Sequence, residues 1–360
     1  MISSIFSGLK VLDLSTVLAG PSVATFFAEL GATVIKIENP VTGGDVTRSW
    51  KLPGENQKER VSAYFSSINY HKKYLWKNLS DESDFLEIKN LIADSDILVV
   101  NFKHGDDLKF GLTPQQVHDI NPKIIYAAIQ GFETQPDRVA YDVVLQAETG
   151  YMSMNGTPDS GPVKMPVALM DVIAAHQLKE GILCALYQRQ KDGIGRVVTC
   201  SLEKAGISAL VNQATNYLMA GHVAERIGSL HPNIAPYGEI FYCSDQKPLV
   251  LAVGSDKQFL QLIEILGANE ITSDSKFSTN QQRVIHRKEM SERMSPYFLQ
   301  QSRQYWMDAF ISRGIPAGAI LNMEEVMTGN AATSMIREEE IDGVSTKRVS
   351  SVAFQIQSTQ

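Results

Sequence analysis

The sequence predicts an α/β protein: a large domain built on a doubly wound parallel sheet, and a smaller α+β domain. Three features carry this. Apolar periods of two and 3.6 residues alternate over the first 130 residues, as strand–helix–strand units do when a parallel sheet is covered on both faces. Two long helical runs bracket a β-branched strand near residue 200. Beyond a proline- and glycine-rich stretch at 221–238 the composition shifts toward Gln, Ser, Arg and Glu, which suits a smaller, more solvated unit. At about 150 residues per domain, a chain of 360 residues has room for two.

The elements follow in order. Lys10–Leu14 is a short apolar strand, and Ser22–Leu30 a helix with Pro21 at its start and Gly31 past its end. Thr33–Glu38 is β-branched and reads as a strand. A long polar insert precedes a helix over Asp81–Ala93, then strands at Asp96–Val100 and Lys123–Ile129. Asp171–Gln190 has helical spacing and stops before Gly193 and Gly195, with a strand at Arg196–Leu202 and one further long helix over Glu203–Ala220. After the linker come strands at Glu239–Cys243 and Leu249–Val253, a helix at Asp256–Leu266, helical patterns from Gln281 to Ser312, and a strand-like run at Gly314–Leu321. The expected boundaries are 1–205 for the large domain, 206–227 for a linker helix, 228–312 for the small domain and 313–360 for a return to the large one.

Composition narrows the function. A net charge of −7 argues against a nucleic-acid binder, which needs a basic footprint to neutralise phosphates. The longest apolar runs are far short of the ~20 residues that cross a membrane. The first residues show no basic and then apolar leader, and Cys184, Cys200 and Cys243 are too scattered for a disulfide framework or a zinc site. The expectation is a cytoplasmic protein with no metal and no membrane or nucleic-acid partner. The turn Ser15–Pro21 after the first strand lacks the G-x-G-x-x-G that brings backbone against a pyrophosphate, and neither a P-loop nor a G-x-S-x-G elbow occurs.

Asp171 is the candidate for chemistry. It follows the apolar run Met165–Met170 and opens a helix. Two roles fit that place. An N-cap Asp accepts a backbone N–H. A nucleophilic carboxylate, stabilised at a helix start, attacks an acyl group and forms a mixed anhydride.

Ordered blocks from residue 8 to about 330 resemble the class III CoA-transferases, the CaiB/BaiF and formyl-CoA transferase group. They include Gly8–Asp13 followed by Leu18–Pro21; Leu30–Glu38; Gly44-Asp45 with Arg48; Asn69 with Lys72-Lys73; Asn101-Phe102 with Phe110–Leu112; Tyr141–Val143 with Gln146-Ala147; Asp171; and His231-Pro232 with Pro236-Tyr237. The resemblance implies a Rossmann-like CoA-binding domain and a homodimer of interlocked chains. It implies acyl-CoA and small carboxylic acids as substrates with no separate cofactor, and Asp171 as the acyl-accepting nucleophile. It implies CoA contacts at Val17, Leu18, Asn39, Lys72, Asn101, Phe102, Lys109, Phe110 and Tyr141. Asn101-Phe102 would lie at the carboxyl end of a strand, where open sheets bind ligands, with Phe102 suited to an adenine ring. Lys72, Lys73, Lys103 and Lys109 would offset the repulsion between an acidic chain and the phosphates of CoA.

The sequence also departs from that pattern. Lys103-His104-Gly105 replaces the usual Arg-Pro-Gly, Asn39 stands where formyl-CoA transferases carry Arg, and Leu18 stands where they carry Gln. Leu18 points to a more apolar or longer acyl group than formyl or oxalyl. The resemblance supplies no glycine-rich lid here, and the chain stops near 360, short of the usual family ending. Arg48, Arg226 and Arg313 are candidates to meet a distal carboxylate. The alternatives are racemase-like proton transfer at an acyl-CoA α-carbon and a CoA-binding protein without turnover. The racemase branch carries Gly-His-Asp where this chain has Ala140-Tyr141-Asp142, and a tyrosine is a poor base at neutral pH.

Overall fold

The computed structural model describes residues 5–357. Strand β1 (Lys10–Asp13) leads through α1 (Ala19–Glu29) to β2 (Thr33–Glu38), α2 (Ala63–Ser67), β3 (Lys72–Trp76), α3 (Glu82–Ala93) and β4 (Ile97–Val100). The short α4 (Asp106–Lys109) and α5 (Pro114–Ile120) precede β5 (Ile125–Gln130). Then come α6 (Asp142–Glu148), α7 (Tyr151–Met154), the long α8 (Leu169–Asp192), β6 (Arg196–Ser201), α9 (Leu202–Ser208) and α10 (Asn212–Ala220).

The six strands form one parallel sheet in the order β3-β2-β1-β4-β5-β6. Successive side chains leave a strand on opposite faces. Val11 and Val99 therefore join Phe27, Leu178 and Ile182 under α1 and α8, while Leu12 and Leu98 join Ile88, Ile92 and Val117 under α3 and α5. All four residues of β4 are buried, which is why it reads as an unbroken apolar run. The strand order reverses between β1 and β4, the position at which open α/β sheets take ligands in a crevice beyond the carboxyl ends of the strands.

Three expectations on this sheet are corrected. The polar insert contains an edge strand, β3, whose leading Lys72-Lys73 hid it; Lys72 points inward and is buried. The helix expected from Ser22 begins at Ala19. The helix expected over 203–220 is two, parted at Ala209–Val211, where Val211 takes φ 47.

Contacts divide the described chain into two units. The first holds residues through Met152, Lys164–Ala224, and from Asn330 onward. Its last part is an antiparallel hairpin, Ile336–Ile341 with Val344–Val349, turning through Asp342 and Gly343 at φ 49 and 79 as a tight two-residue turn requires. The second unit is Ser153–Val163 with Glu225–Gly329, so residues 313–329, expected in the returning segment, fall in it. Its strands Tyr237–Tyr242, Pro248–Ala252 and Ala317–Ala319 form an antiparallel sheet. Its core centres on Phe298, stacked on Phe241 at 4.2 Å.

Candidate active site

At the reversal of strand order the chain leaves β1 through Ser15–Leu18. The Ser15 N–H and hydroxyl both donate to Asp13 Oδ1, at 3.0 and 2.5 Å. Val17 stands at φ 72, a left-handed backbone that a β-branched side chain disfavours. Its N–H donates to both Asp45 oxygens, at 3.3 and 3.2 Å. Asp45 is fixed in turn by the Thr47 N–H and hydroxyl, at 3.0 and 2.8 Å, and by the buried ammonium of Lys36 at 3.2 Å. Lys36 also donates to the Ser15 carbonyl at 2.7 Å. Gly20 allows α1 to start this close, because a Cβ there would stand 2.3 Å from the Ser15 side chain. From the end of β4, Asn101 accepts the Thr16 N–H at 3.0 Å and donates to the Thr16 carbonyl at 2.8 Å. The expected residues Val17, Leu18 and Asn101 thus share one rigid turn.

Lys72 is corrected. Its ammonium lies under the turn and donates to Asp13 Oδ2, Asn69 Oδ1 and the Pro21 carbonyl at 2.9 Å each, and to the Ile68 carbonyl at 3.2 Å. That set leaves it no donor for a phosphate. Burial pulls its pKa down to about 8 against the opposing pull of Asp13. Burial alone would raise Asp13, but Lys36 and Lys72 hold its carboxyl below the usual range. Arg48 is engaged as well. It is buried and forks onto Glu38 at 2.8 and 2.5 Å, with Asp342 at 2.9 Å, so it does not meet a substrate carboxylate.

Asp171 is the third residue of α8, whose N-cap is Ala168. It is therefore not the cap, the other role its position suggested. Its half-buried side chain makes no hydrogen bond or ion pair among the described residues. The capping contact comes from Asp142, which accepts the Met170 N–H at 2.8 Å. Burial, and next the Asp142 charge, push the Asp171 carboxyl up to about 7. Desolvation here outweighs the helix start, which favours the anion.

Tyr64 was not anticipated. It stands on α2, edge-on to Trp50 at 5.1 Å, and its hydroxyl has no hydrogen-bond partner among the described residues. Burial first, and then the charges of Asp171, Asp142 and Asp45 in that order, push its phenol up to about 12. This one ring therefore feels Asp171 of α8, Asp142 of α6 and Asp45, the anchor of the Val17 turn. Nothing in its sequence surroundings marks it, because it lies in the insert with no motif of its own.

Phe102 and Phe110 approach at 6.0 Å, and the exposed Lys109 lies 5.0 Å over the Phe110 ring. Rings and a cation thus sit together beyond β4. Asn39 caps the turn Pro40–Thr42, its side chain accepting the Val41 N–H at 2.9 Å. Tyr141 is 59% exposed beside Asp142, at the start of α6. A cavity of about 480 Å³ against Glu29, Tyr70, Arg337 and Phe354 shares none of these residues. Among the described residues no His, Cys, Asp and Glu group suits a metal, and no helix is long and apolar enough to cross a membrane.

Comparison with known proteins bears on the family and the fold. The family model for CoA-transferase family III matches residues 6–360. The succinate–glutarate CoA-transferase of Agrobacterium fabrum is 36% identical over 329 residues, covering 89% of this chain and 81% of its own. The succinyl-CoA:glutarate CoA-transferase of Mus musculus is 35% identical, covering 89% and 72%. The crystal structure of a CaiB/BaiF family protein from Brucella suis superposes with a TM-score of 0.89 at 32% identity, covering 98% of this chain and 93% of the other. The sheet order, the matched family model and the relatives all agree: this chain belongs to the family III CoA-transferases and is a CoA-transferase.

Proposed function

We propose that this enzyme moves CoA between short dicarboxylic acids of succinyl and glutaryl size, by way of covalent states on Asp171. The observation that carries the mechanism is an inward carboxylate with no partner, raised to about 7, at a helix start whose cap is supplied by another residue. A carboxylate of raised basicity is the better nucleophile, and at neutral pH enough of it is ionised to react.

The Asp171 carboxylate attacks the thioester carbonyl. The C–S bond breaks, CoA thiolate leaves, and an acyl–aspartyl anhydride remains. The thiolate then attacks the aspartyl carbonyl, releasing the donor acid and leaving an aspartyl-CoA thioester. The acceptor carboxylate attacks that thioester, re-forming an anhydride and freeing the thiolate. The thiolate takes the acceptor acyl group and returns Asp171 to the carboxylate. Every state is an activated acyl group, so the exchange needs no external energy source. Oriented binding and stabilised oxyanions supply the rate. The Tyr64 hydroxyl is a donor free to meet such an oxyanion or the distal carboxylate of the acid.

Phe102, Phe110 and Lys109 suit the adenosine end of CoA, and the turn at Val17–Leu18, clasped by Asn101, borders the acyl group. The dicarboxylate preference rests on the succinate and glutarate relatives. The enzyme acts in the cytoplasm as a homodimer. Support for a second copy comes from α10, where Tyr217, Leu218 and Met219 are 59%, 79% and 83% exposed and no residue is buried. The test is CoA exchange from succinyl-CoA to glutarate, with acetate and oxalate as rival acceptors. Glutarate should be preferred, and Asp171→Asn should lower kcat by about 10³-fold or more. Equal rates for all acceptors would reject the dicarboxylate preference, and an active Asn variant would reject the covalent route.

A further inference from the structure

The start of α8 is held from outside. Ala168 at its N-cap offers no side-chain acceptor, and residues 161–168 before it form neither helix nor strand, with 162–167 exposed. Such a strap would leave a side chain on the first helical turn loosely aimed. Two residues one turn apart on α6 take hold of it. Asp142 Oδ1 accepts the Met170 N–H at 2.8 Å, doing the work of a cap, and Asp142 Oδ2 accepts from Gln146 Nε2 at 2.7 Å. Gln146 is fully buried. Its Oε1 accepts the Met165 N–H at 2.7 Å, and its Nε2 also faces the carbonyls of Met165 and Val167 at 3.2 and 3.4 Å. The amide pairs with the strap as a neighbouring strand would.

We propose that Asp142 and Gln146 are positioning residues of the transfer reaction, an external cap and clasp that fixes the strap Met165–Met170 and thereby aims the Asp171 carboxylate. The inference rests on the reading of Asp171 as nucleophile. Neither residue touches the reacting atoms: one acts through the Met170 N–H, the other through the strap and through Asp142. The clasp has an electrostatic side as well. Asp142 is the charge on a packed element that disfavours ionised Asp171. The Tyr64 phenol from α2 feels the charge of both carboxylates, and Asp45 adds to the field on that phenol. Of the other charges on elements packed against α8, Glu29 of α1 pairs with Arg348, Lys204 of α9 with Glu133, Glu148 of α6 with Arg138 and Arg196 of β6 with Asp192 at the far end of α8, while Glu203 of α9 has no ion pair among the described residues. An Asp at position 142 therefore orients the nucleophile and keeps it basic.

The contributions are compared in Asp142→Asn, which keeps an acceptor for the Met170 N–H but removes the charge and the acceptor for Gln146 Nε2, and in Asp142→Ala, which removes all three. Two measurements decide. The first is hydrogen exchange of the peptide spanning 163–172 in the resting enzyme, compared with peptides of the central sheet. The second is the pH profile of kcat/KM, with kcat and KM resolved, for succinyl-CoA to glutarate exchange. With Ala, exchange of the strap should accelerate about tenfold while the sheet stays protected, and kcat should fall about tenfold or more with KM for succinyl-CoA nearly unchanged. With Asn, protection and most of kcat should return, yet the acid limb should move to lower pH by about half a unit or more. The proposal is overturned if Ala leaves strap exchange at the wild-type rate, or if Asn and Ala lose protection and activity equally with the acid limb unmoved. Should Ala fail to fold, Gln146→Met repeats the first measurement, since it keeps the volume and removes both the acceptor and the donor: strap exchange must accelerate, and an unchanged rate rejects the clasp. If the wild type exchanges no CoA between acids, the proposed function fails, while strap protection still decides the clasp.

Discussion

Asp171 is buried enough to resist ionisation, and the measurable consequence is a pH profile. Attack requires the carboxylate, so kcat/KM should rise with pH on an acid limb centred near 7 and level above it. Stability should run the other way. A carboxyl raised from its ordinary 3.8 to about 7 in the fold binds its proton more tightly there. The gain is whole below 3.8 and is lost as pH climbs through 7. Asp171→Asn should therefore raise the unfolding temperature by about 2–4 °C at pH 8 and leave it unchanged near pH 4, in paired thermal melts. Tyr64→Phe tests the second group of the site. It should lower kcat about tenfold by removing a donor while leaving the melting temperature within about 1 °C, because the hydroxyl is unpartnered in the resting fold. Asp171 was legible as a residue of interest from its place after an apolar run, but its place inside the helix was not. The contact that replaces its capping role comes from Asp142, and no local pattern reports a bond across 28 residues.

At the scale of elements, the crevice depends on a turn that its own residues disfavour. Val17 is held left-handed by Asp45, Asp45 by Lys36, and Asp13 by Lys36 and Lys72, all buried. Removing one partner from such a set leaves an uncompensated charge, so Lys72→Met should destabilise by about 3–5 kcal/mol in urea unfolding, far more than a surface lysine. A merely surface-facing, phosphate-binding Lys72 would instead raise KM and leave the midpoint alone. The sequence pattern located β1, β2, β4 and β5 because their apolar runs speak for themselves. It missed β3 because its first residue is a buried lysine, legible only once Asp13 is placed opposite it. The break between α9 and α10 escaped for a related reason: helical spacing continues through Val211 although its backbone does not.

On the scale of the whole chain, the parallel sheet reverses its strand order between β1 and β4, and the proposed site draws on the turn after β1, the rings beyond β4 and the start of α8. The doubly wound class was readable from alternating periods alone. Which segments return to the first unit was not, since residues 153–163 and 313–329 join the second through contacts that composition does not encode. In the proposed homodimer the exposed Tyr217, Leu218 and Met219 of α10 meet the second copy. Charge placed there, as Leu218→Glu with Met219→Glu, should shift the enzyme from dimer toward monomer in light scattering, with a wild-type monomer rejecting the homodimer. The central claim is covalent catalysis by Asp171, and intact-mass spectrometry of the enzyme mixed with succinyl-CoA tests it most directly. Wild type should gain a succinyl or CoA adduct that hydroxylamine converts to a hydroxamate mapped to Asp171, and Asp171→Ala should gain none. Tight binding of the thioester with no adduct on the wild type, or the same adduct on the Ala variant, would contradict it.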